Sequence, residues 1–143
     1  MKIREAKVND LGKIYDIEKR IFSNPWSKQS IKNEINRISC SLNFIAEKND
    51  HIIGYFFSHI IDKEVHILNM AINVPYQHLG NGKEFFSLII KNYMEHTNVF
   101  LEVSKTNFPA INLYLNFGFK ETDIKKKFYS NGDDAILMSR IVN

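Results

Sequence analysis

Two glycines in the run Gln77-His78-Leu79-Gly80-Asn81-Gly82-Lys83 fall where an apolar stretch gives way to helical spacing. Glycine lets a backbone turn sharply and come close to a ligand. The first turn of a following helix presents free N–H groups and a positive dipole end, a setting that favours an anion and above all a phosphate. Lys83 adds a positive charge at the same place. On these residues alone the segment is either an anion cradle or an ordinary strand-to-helix turn. Two familiar nucleotide loops are excluded: there is no Gly-x-x-x-x-Gly-Lys-Ser/Thr, and only two of the three glycines of a dinucleotide fingerprint can be placed.

Glu102 is the next residue with chemistry in it, because it interrupts the apolar run Val99-Phe100-Leu101-Glu102-Val103. A carboxylate in apolar surroundings keeps a proton more readily than one in water, which suits proton abstraction near neutral pH. The alternative is a solvated charge at a strand end. Tyr114 lies twelve positions later in a helical segment, where an aromatic side chain ordinarily packs into a core. Asn107, at the start of that segment, is a natural N-cap. The five histidines, His51, His59, His66, His78 and His96, show no metal-ligand spacing, so no metal is expected. The single cysteine, Cys40, excludes an internal disulfide and a Cys-rich zinc site.

These residues need elements to hold them. Lys2 to Val8 reads as a strand, followed by a helix capped at Asn9 or Asp10 with Leu11, Ile14, Ile17 and Ile21 on one face. After Pro25-Trp26, Ser27 caps a second helix carrying Ile31, Ile35 and Ile38. Leu42 to Glu47, Ile52 to Ile61 and Glu64 to Val74 are strands joined by the turn pairs Asn49-Asp50 and Asp62-Lys63. Lys83 to His96 is helical, Val99 to Val103 a strand, and Pro109 to Phe117 a helix. Phe119 to Tyr129 and Ala135 to Val142 close the chain as strands around Asn131-Gly132, a strong hairpin signal. The order β-α-α-β-β-β-α-β-α-β-β predicts an α+β fold with a mixed sheet.

Composition narrows the class. At 143 residues, with 44% hydrophobic and 13% aromatic residues, the chain is expected to form one domain over residues 1–143 with a substantial core. A net charge of +3, with one basic run at Lys125-Lys126-Lys127, gives no reason to expect direct nucleic-acid binding. No apolar stretch approaches the ~20 residues of a membrane span. Nor does Met1-Lys2-Ile3-Arg4-Glu5 open a signal peptide, so a cytoplasmic location is expected.

The pattern Gln-x-x-Gly-x-Gly at Gln77 to Gly82, after an apolar strand, resembles the pyrophosphate loop of the GNAT superfamily, the acetyl-coenzyme A-dependent N-acetyltransferases. The element order is also that family's, over essentially the whole chain. Asn24-Pro25-Trp26-Ser27, Leu101-Glu102-Val103, Asn107 with Ala110-Ile111, Leu113-Tyr114, Gly118-Phe119, Tyr129 and Asp133-Asp134-Ala135 resemble the RimI-type branch. That branch acetylates the N-terminal alanine of a ribosomal protein, number eighteen of the small subunit.

The resemblance implies a seven-stranded, mostly antiparallel sheet with helices on both faces, acetyl-coenzyme A as co-substrate, and no metal. It makes Glu102 the general base and Tyr114 the general acid. Gln77, His78, Leu79, Gly80, Asn81, Gly82 and Lys83 would cradle the pyrophosphate, with Met70, Ala71, Ile72 and Asn107 along the pantetheine arm. Trp26 and Tyr129 would flank the N-terminal peptide of the ribosomal partner. Glu64, Asp133 and Asp134 are candidate acidic walls for a basic peptide, or simply solvated turn charges. A monomer or weak dimer is expected. The same scaffold also serves lysine side chains and small-molecule amines, and a non-catalytic acyl-coenzyme A sensor would share the loop. Two departures stand out: Pro75 comes one place later than usual, which is expected to shift the splay between strands, and His78 or Leu79 replaces a common arginine, which is expected to weaken the hold on the pyrophosphate.

Overall fold

Two pairs of turn residues without glycine take positive φ: Asn49 (50°) with Asp50 (63°), and Asp62 (51°) with Lys63 (66°). Positive φ at both central residues is the type I′ geometry, whose twist matches that of the flanking strands. In the computed structural model, which describes residues 1–37 and 39–142, these turns join β2 (Ser41–Lys48) to β3 (His51–Ile61) and β3 to β4 (Glu64–Ile72). With β1 (Lys2–Glu5), β5 (Val99–Ser104), β6 (Lys120–Lys125) and β7 (Ala135–Arg140), the described residues form one seven-stranded sheet of order β1-β2-β3-β4-β5-β7-β6. β4 and β5 run parallel, and every other neighbouring pair is antiparallel.

Helices cover both faces, as expected. On one side α1 (Leu11–Ile21) and α2 (Lys28–Asn36) bury Ile14, Ile17, Ile31 and Ile35 against Ile45, Tyr55, Phe57 and Ala71. On the other, α3 (Asn81–Ile89) and α4 (Phe108–Asn116) bury Phe85, Phe86, Ile89 and Ile111 against Phe44, Phe56, Ile67, Val99 and Leu101. Each such side chain contributes about 1.5–3 kcal/mol by leaving water. Ser27 caps α2 as expected, its Oγ accepting from Ser30 N at 3.1 Å. Ile38, assigned to that helix from its spacing, lies outside the described residues.

Several boundaries differ from the sequence reading. Val8 leaves the first strand for a 3-10 turn, Val8–Asp10, because Asp10 draws the chain back: its Oδ2 accepts from Lys7 N, and both its oxygens accept from Arg4 at 2.8 Å. Val74 likewise sits in a 3-10 turn, Val74–Tyr76, since Pro75 has no N–H for a ladder. The helix after the glycine loop starts two residues earlier, at Asn81, and widens into a π-helical turn at Ile90–Met94. Asn131-Gly132 is not a two-residue hairpin. β6 ends at Lys125, and residues 126–134 form a longer loop tied by Lys127 N to Asp134 Oδ1 at 3.0 Å and by Tyr129 N to Asp133 O at 3.1 Å.

The Arg4–Asp10 pair carries a stability prediction. Burial opposes the charge on Asp10, but the Arg4 guanidinium and the Lys7 amide outweigh it and hold the carboxyl below its usual range. A carboxyl depressed in the folded state stabilises above its unfolded pKa, and that stability is lost as pH falls through the lower folded value. Asp10→Asn is therefore expected to cost about 1–3 kcal/mol at pH 7. In urea titrations the gap to the parent protein should close as pH falls through the lowered folded value.

Candidate active site

β4 and β5 are paired over only three positions, Val65 with Val99, His66 with Phe100 and Ile67 with Leu101. Beyond Ile67 and Leu101 the strands part, although β4 continues to Ile72 and β5 to Ser104. A bulge explains the divergence. Phe57 of β3 pairs with Asn69 while Ser58 pairs with Ile67, so Leu68 is an extra residue on β4 and bends it. The one-place displacement of Pro75 thus does not prevent the strands from separating.

The gap is a cleft of about 500 Å³. Leu68, Asn69 and Met70 form one wall, and Glu102, Val103 and Ser104 the other. Asn107, Ala110 and Tyr114 reach it from α4, Glu18 and Trp26 from the α1–α2 side, and Tyr129 from the β6–β7 loop. The structure thus brings together Glu102, Tyr114, Asn107, Met70, Trp26 and Tyr129, residues far apart in sequence.

Glu102 is not in apolar surroundings, contrary to the expectation from its run of neighbours. Its side chain is 21% exposed, with His66 Nε2 at 2.5 Å from Oε2 and Lys125 Nζ at 3.8 Å from Oε1. Of the four apolar residues of that run, Val99, Leu101 and Val103 point to the opposite face of the sheet, toward α3 and α4, and only Phe100 shares the face of Glu102. Tyr114 is buried between Phe86 and Phe119, each with its ring centre 5.5 Å away. Burial, and then the neighbouring Tyr129, push its phenol up to about 12. Tyr129 is itself raised, by burial first and by the Glu102 charge second. Asn107 caps α4 through Oδ1, which accepts from Ala110 N at 3.3 Å; its Nδ2 remains for the cleft.

The glycine loop closes the far end of β4. Gln77 Nε2 donates to Ile72 O at 2.8 Å, and Asn81 Nδ2 donates to Tyr76 O at 2.8 Å, so both side chains brace the loop. Gly80 has φ 85° and His78 φ 63°. The first N–H of α3 to close a helical bond is that of Glu84, to Gly80 O at 3.0 Å. Those of Asn81, Gly82 and Lys83 therefore lack an intrahelical partner. A Cβ on Gly80 would meet nothing within 4 Å, so the space before the helix is open to a diphosphate, and the donor set of N–H groups fits one. Lys83 borders a second open cavity, of about 610 Å³, between α3 and α4. Leu79 is 71% exposed beside it, Ile72 packs on the α3–α4 core, and Ala71 is buried under α1 and α2.

Three expected residues are not brought in. Glu64 opens β4, six residues and about 20 Å from Met70. Asp133 accepts from Ser104 Oγ, Thr106 Oγ1 and Asn131 Nδ2, and Asp134 from Lys127 N, so both tie the loop rather than line the cleft. Two residues escaped the sequence reading. Glu18, buried, accepts from Tyr55 OH, from Asn69 Nδ2 at 2.8 Å and from Trp26 N at 2.9 Å, and so locks two cleft residues in place. His66 stands against Glu102. Glu18 was legible only as a charge on the apolar side of a helix. His66 had no signal without the β4–β5 register.

Among the described residues no group of His, Cys, Asp and Glu is arranged to hold a metal ion, and no helix is long and apolar enough to cross a membrane. The family model described as Acetyltransferase (GNAT) family matches residues 11–119. A [ribosomal protein bS18]-alanine N-acetyltransferase of Haemophilus influenzae is 32% identical over 143 residues, covering 96% of each chain. An N-alpha-acetyltransferase of Sulfurisphaera tokodaii is 28% identical, covering 96% of this chain and 91% of its own. The crystal structure of the ribosomal-protein-S18-alanine N-acetyltransferase from Escherichia coli superposes with a TM-score of 0.86 at 29% identity, covering 96% of this chain and 91% of that one. With a parted parallel strand pair, a glycine loop at a helix start and these matches in agreement, the chain belongs to the GNAT family and is an N-acetyltransferase.

Proposed function

We propose that this chain, as one acetyltransferase domain over residues 1–143, moves the acetyl group of acetyl-coenzyme A to the N-terminal amine of a protein. The substrate proposed is the N-terminal alanine of the small-subunit ribosomal protein named in its bacterial relatives. The observation that carries this reading is the parting of β4 and β5 beyond Ile67 and Leu101, with Glu102 and Tyr114 on the same cleft.

Acetyl-coenzyme A would supply the activated thioester. The N–H groups of Asn81, Gly82 and Lys83 hold its diphosphate. The β4 edge from Met70 to Ile72, no longer paired with β5, offers main-chain groups to the pantetheine arm, with Asn107 Nδ2 opposite. A main-chain N–H on that edge polarises the acetyl carbonyl. Glu102 takes a proton from the substrate ammonium, and Tyr114, protonated at any working pH, gives one to the departing sulfur. Trp26 and Tyr129 flank the entering peptide. Transfer is direct, without a covalent enzyme intermediate.

Intact-mass spectrometry tests this on three peptides: one with a free N-terminal alanine, the same peptide blocked, and one with an internal lysine. The expected result is one added acetyl group on the free peptide alone. Acetylation of the blocked or lysine peptide would reassign the substrate to side-chain amines.

A further inference from the structure

Glu102 lines the cleft, and the group behind it does not. His66 Nε2 lies 2.5 Å from Glu102 Oε2, while the His66 side chain is 37% exposed and takes no part in the cleft wall. The carboxylate thus separates the cleft from an imidazole that reaches water on the other side. Strand register makes the contact: His66 sits opposite Phe100, so Glu102, two residues on, shows its side chain on the same face. The other groups facing His66 are equally defined. His59 on β3 is its direct cross-strand partner and is held by Glu34 of α2 at 2.5 Å. Lys125 of β6 approaches the far oxygen of Glu102, and Glu64 lies two residues back on β4.

Acylating an ammonium leaves a surplus of one proton. The nitrogen sheds two as the N–C bond forms and the C–S bond breaks; one balances the thiol, and the other must reach solvent. Resting on the function proposed above, we infer that His66 is the relay that carries this surplus proton away from Glu102. The proton taken from the ammonium resides on the Glu102 carboxyl and passes from Oε2 to His66 Nε2. The imidazolium then releases its Nδ1 proton to water, leaving Glu102 a carboxylate that accepts from His66 Nε2–H. Solvent-assisted exchange of the ring proton from Nε2 to Nδ1 restores the acceptor before the next turnover. No oxidant or further reactant is required. His66 acts through Glu102 and never on the peptide, so it governs turnover rather than binding.

Two substitutions separate relay from scaffolding. His66→Gln keeps a hydrogen-bonding partner for Glu102 but cannot carry a proton, and His66→Ala leaves room for a small base. With the free N-terminal alanine peptide and saturating acetyl-coenzyme A, both are expected to lose about tenfold or more in kcat. KM for either substrate should stay within about twofold. Free imidazole in the buffer should restore His66→Ala in proportion to its concentration. A His66→Gln enzyme as fast as the parent, or a loss that imidazole leaves untouched, would overturn the relay. The contact itself is read without turnover. Proton NMR of the ligand-free protein should show a slowly exchanging His66 ring N–H that disappears in His66→Gln and Glu102→Gln, and its absence from the parent would likewise overturn the inference. A parent protein that shows this resonance yet leaves the peptide unmodified would instead sink the function proposed for the site, and the relay with it.

Discussion

Glu102→Gln lowers kcat at neutral pH by about 10²–10⁴-fold, the usual worth of a positioned general base. Glutamine keeps the shape of the side chain, and the diphosphate cradle lies at the other end of β4, so calorimetric affinity for acetyl-coenzyme A should be nearly unchanged. The pH dependence sharpens the expectation. Without a base, only the fraction of peptide whose amine is already neutral can react. Since a terminal amine ionises near pH ~8, kcat/KM of the variant should climb about tenfold per pH unit below that value. The parent enzyme should climb less steeply and level off earlier. Unaltered turnover in the variant would dismiss Glu102 as the base.

Tyr114→Phe is the second large effect, with about 10²-fold lost from kcat. Phenylalanine preserves the ring that packs between Phe86 and Phe119, so thermal stability should move little. The phenol is raised to about 12, so it retains its proton as pH rises and loses it only as pH passes that value. No alkaline limb from Tyr114 is therefore expected in a profile taken up to about pH 10. The chemistry lost is protonation of sulfur. Replacing the donor by an acetyl thioester of an aromatic thiol, whose anion departs unaided, should shrink the defect to a few-fold. A defect equal with both donors would remove Tyr114 from the acid role.

Local chemistry was legible in the sequence, and long-range geometry was not. Asn49-Asp50 and Asp62-Lys63 announced tight hairpins because asparagine and aspartate tolerate left-handed backbone, and both pairs form them, Lys63 following Asp62 into that region. Ser27 and Asn107 announced helix starts because a short side-chain oxygen can accept from the third amide onward, and both do so. Asn131-Gly132 misled for a complementary reason. The pair does turn the chain, but Asp133 and Asp134 tie the surrounding loop to Ser104, Thr106 and Lys127, contacts that no local pattern encodes. The environment of Glu102 was misjudged in the same way. Its sequence neighbours are apolar, yet a strand sends alternate side chains to opposite faces, and its true neighbours come from β4 and β6. The resemblance supplied the candidate site, and physical reading of the chain supplied the means to prune Glu64, Asp133 and Asp134 from the cleft wall.

The three paired positions between β4 and β5 have a mechanical meaning. The sheet is effectively two panels, one of four strands and one of three, sharing a short seam that ends where the gap opens. A molecule lodged in that gap and bonded to both margins acts as a clasp, so its free energy of association is shared with the cohesion of the whole fold. Occupancy should then be felt at sheet margins far from the reacting atoms, and an empty gap marks the place where heating would first pull the panels apart.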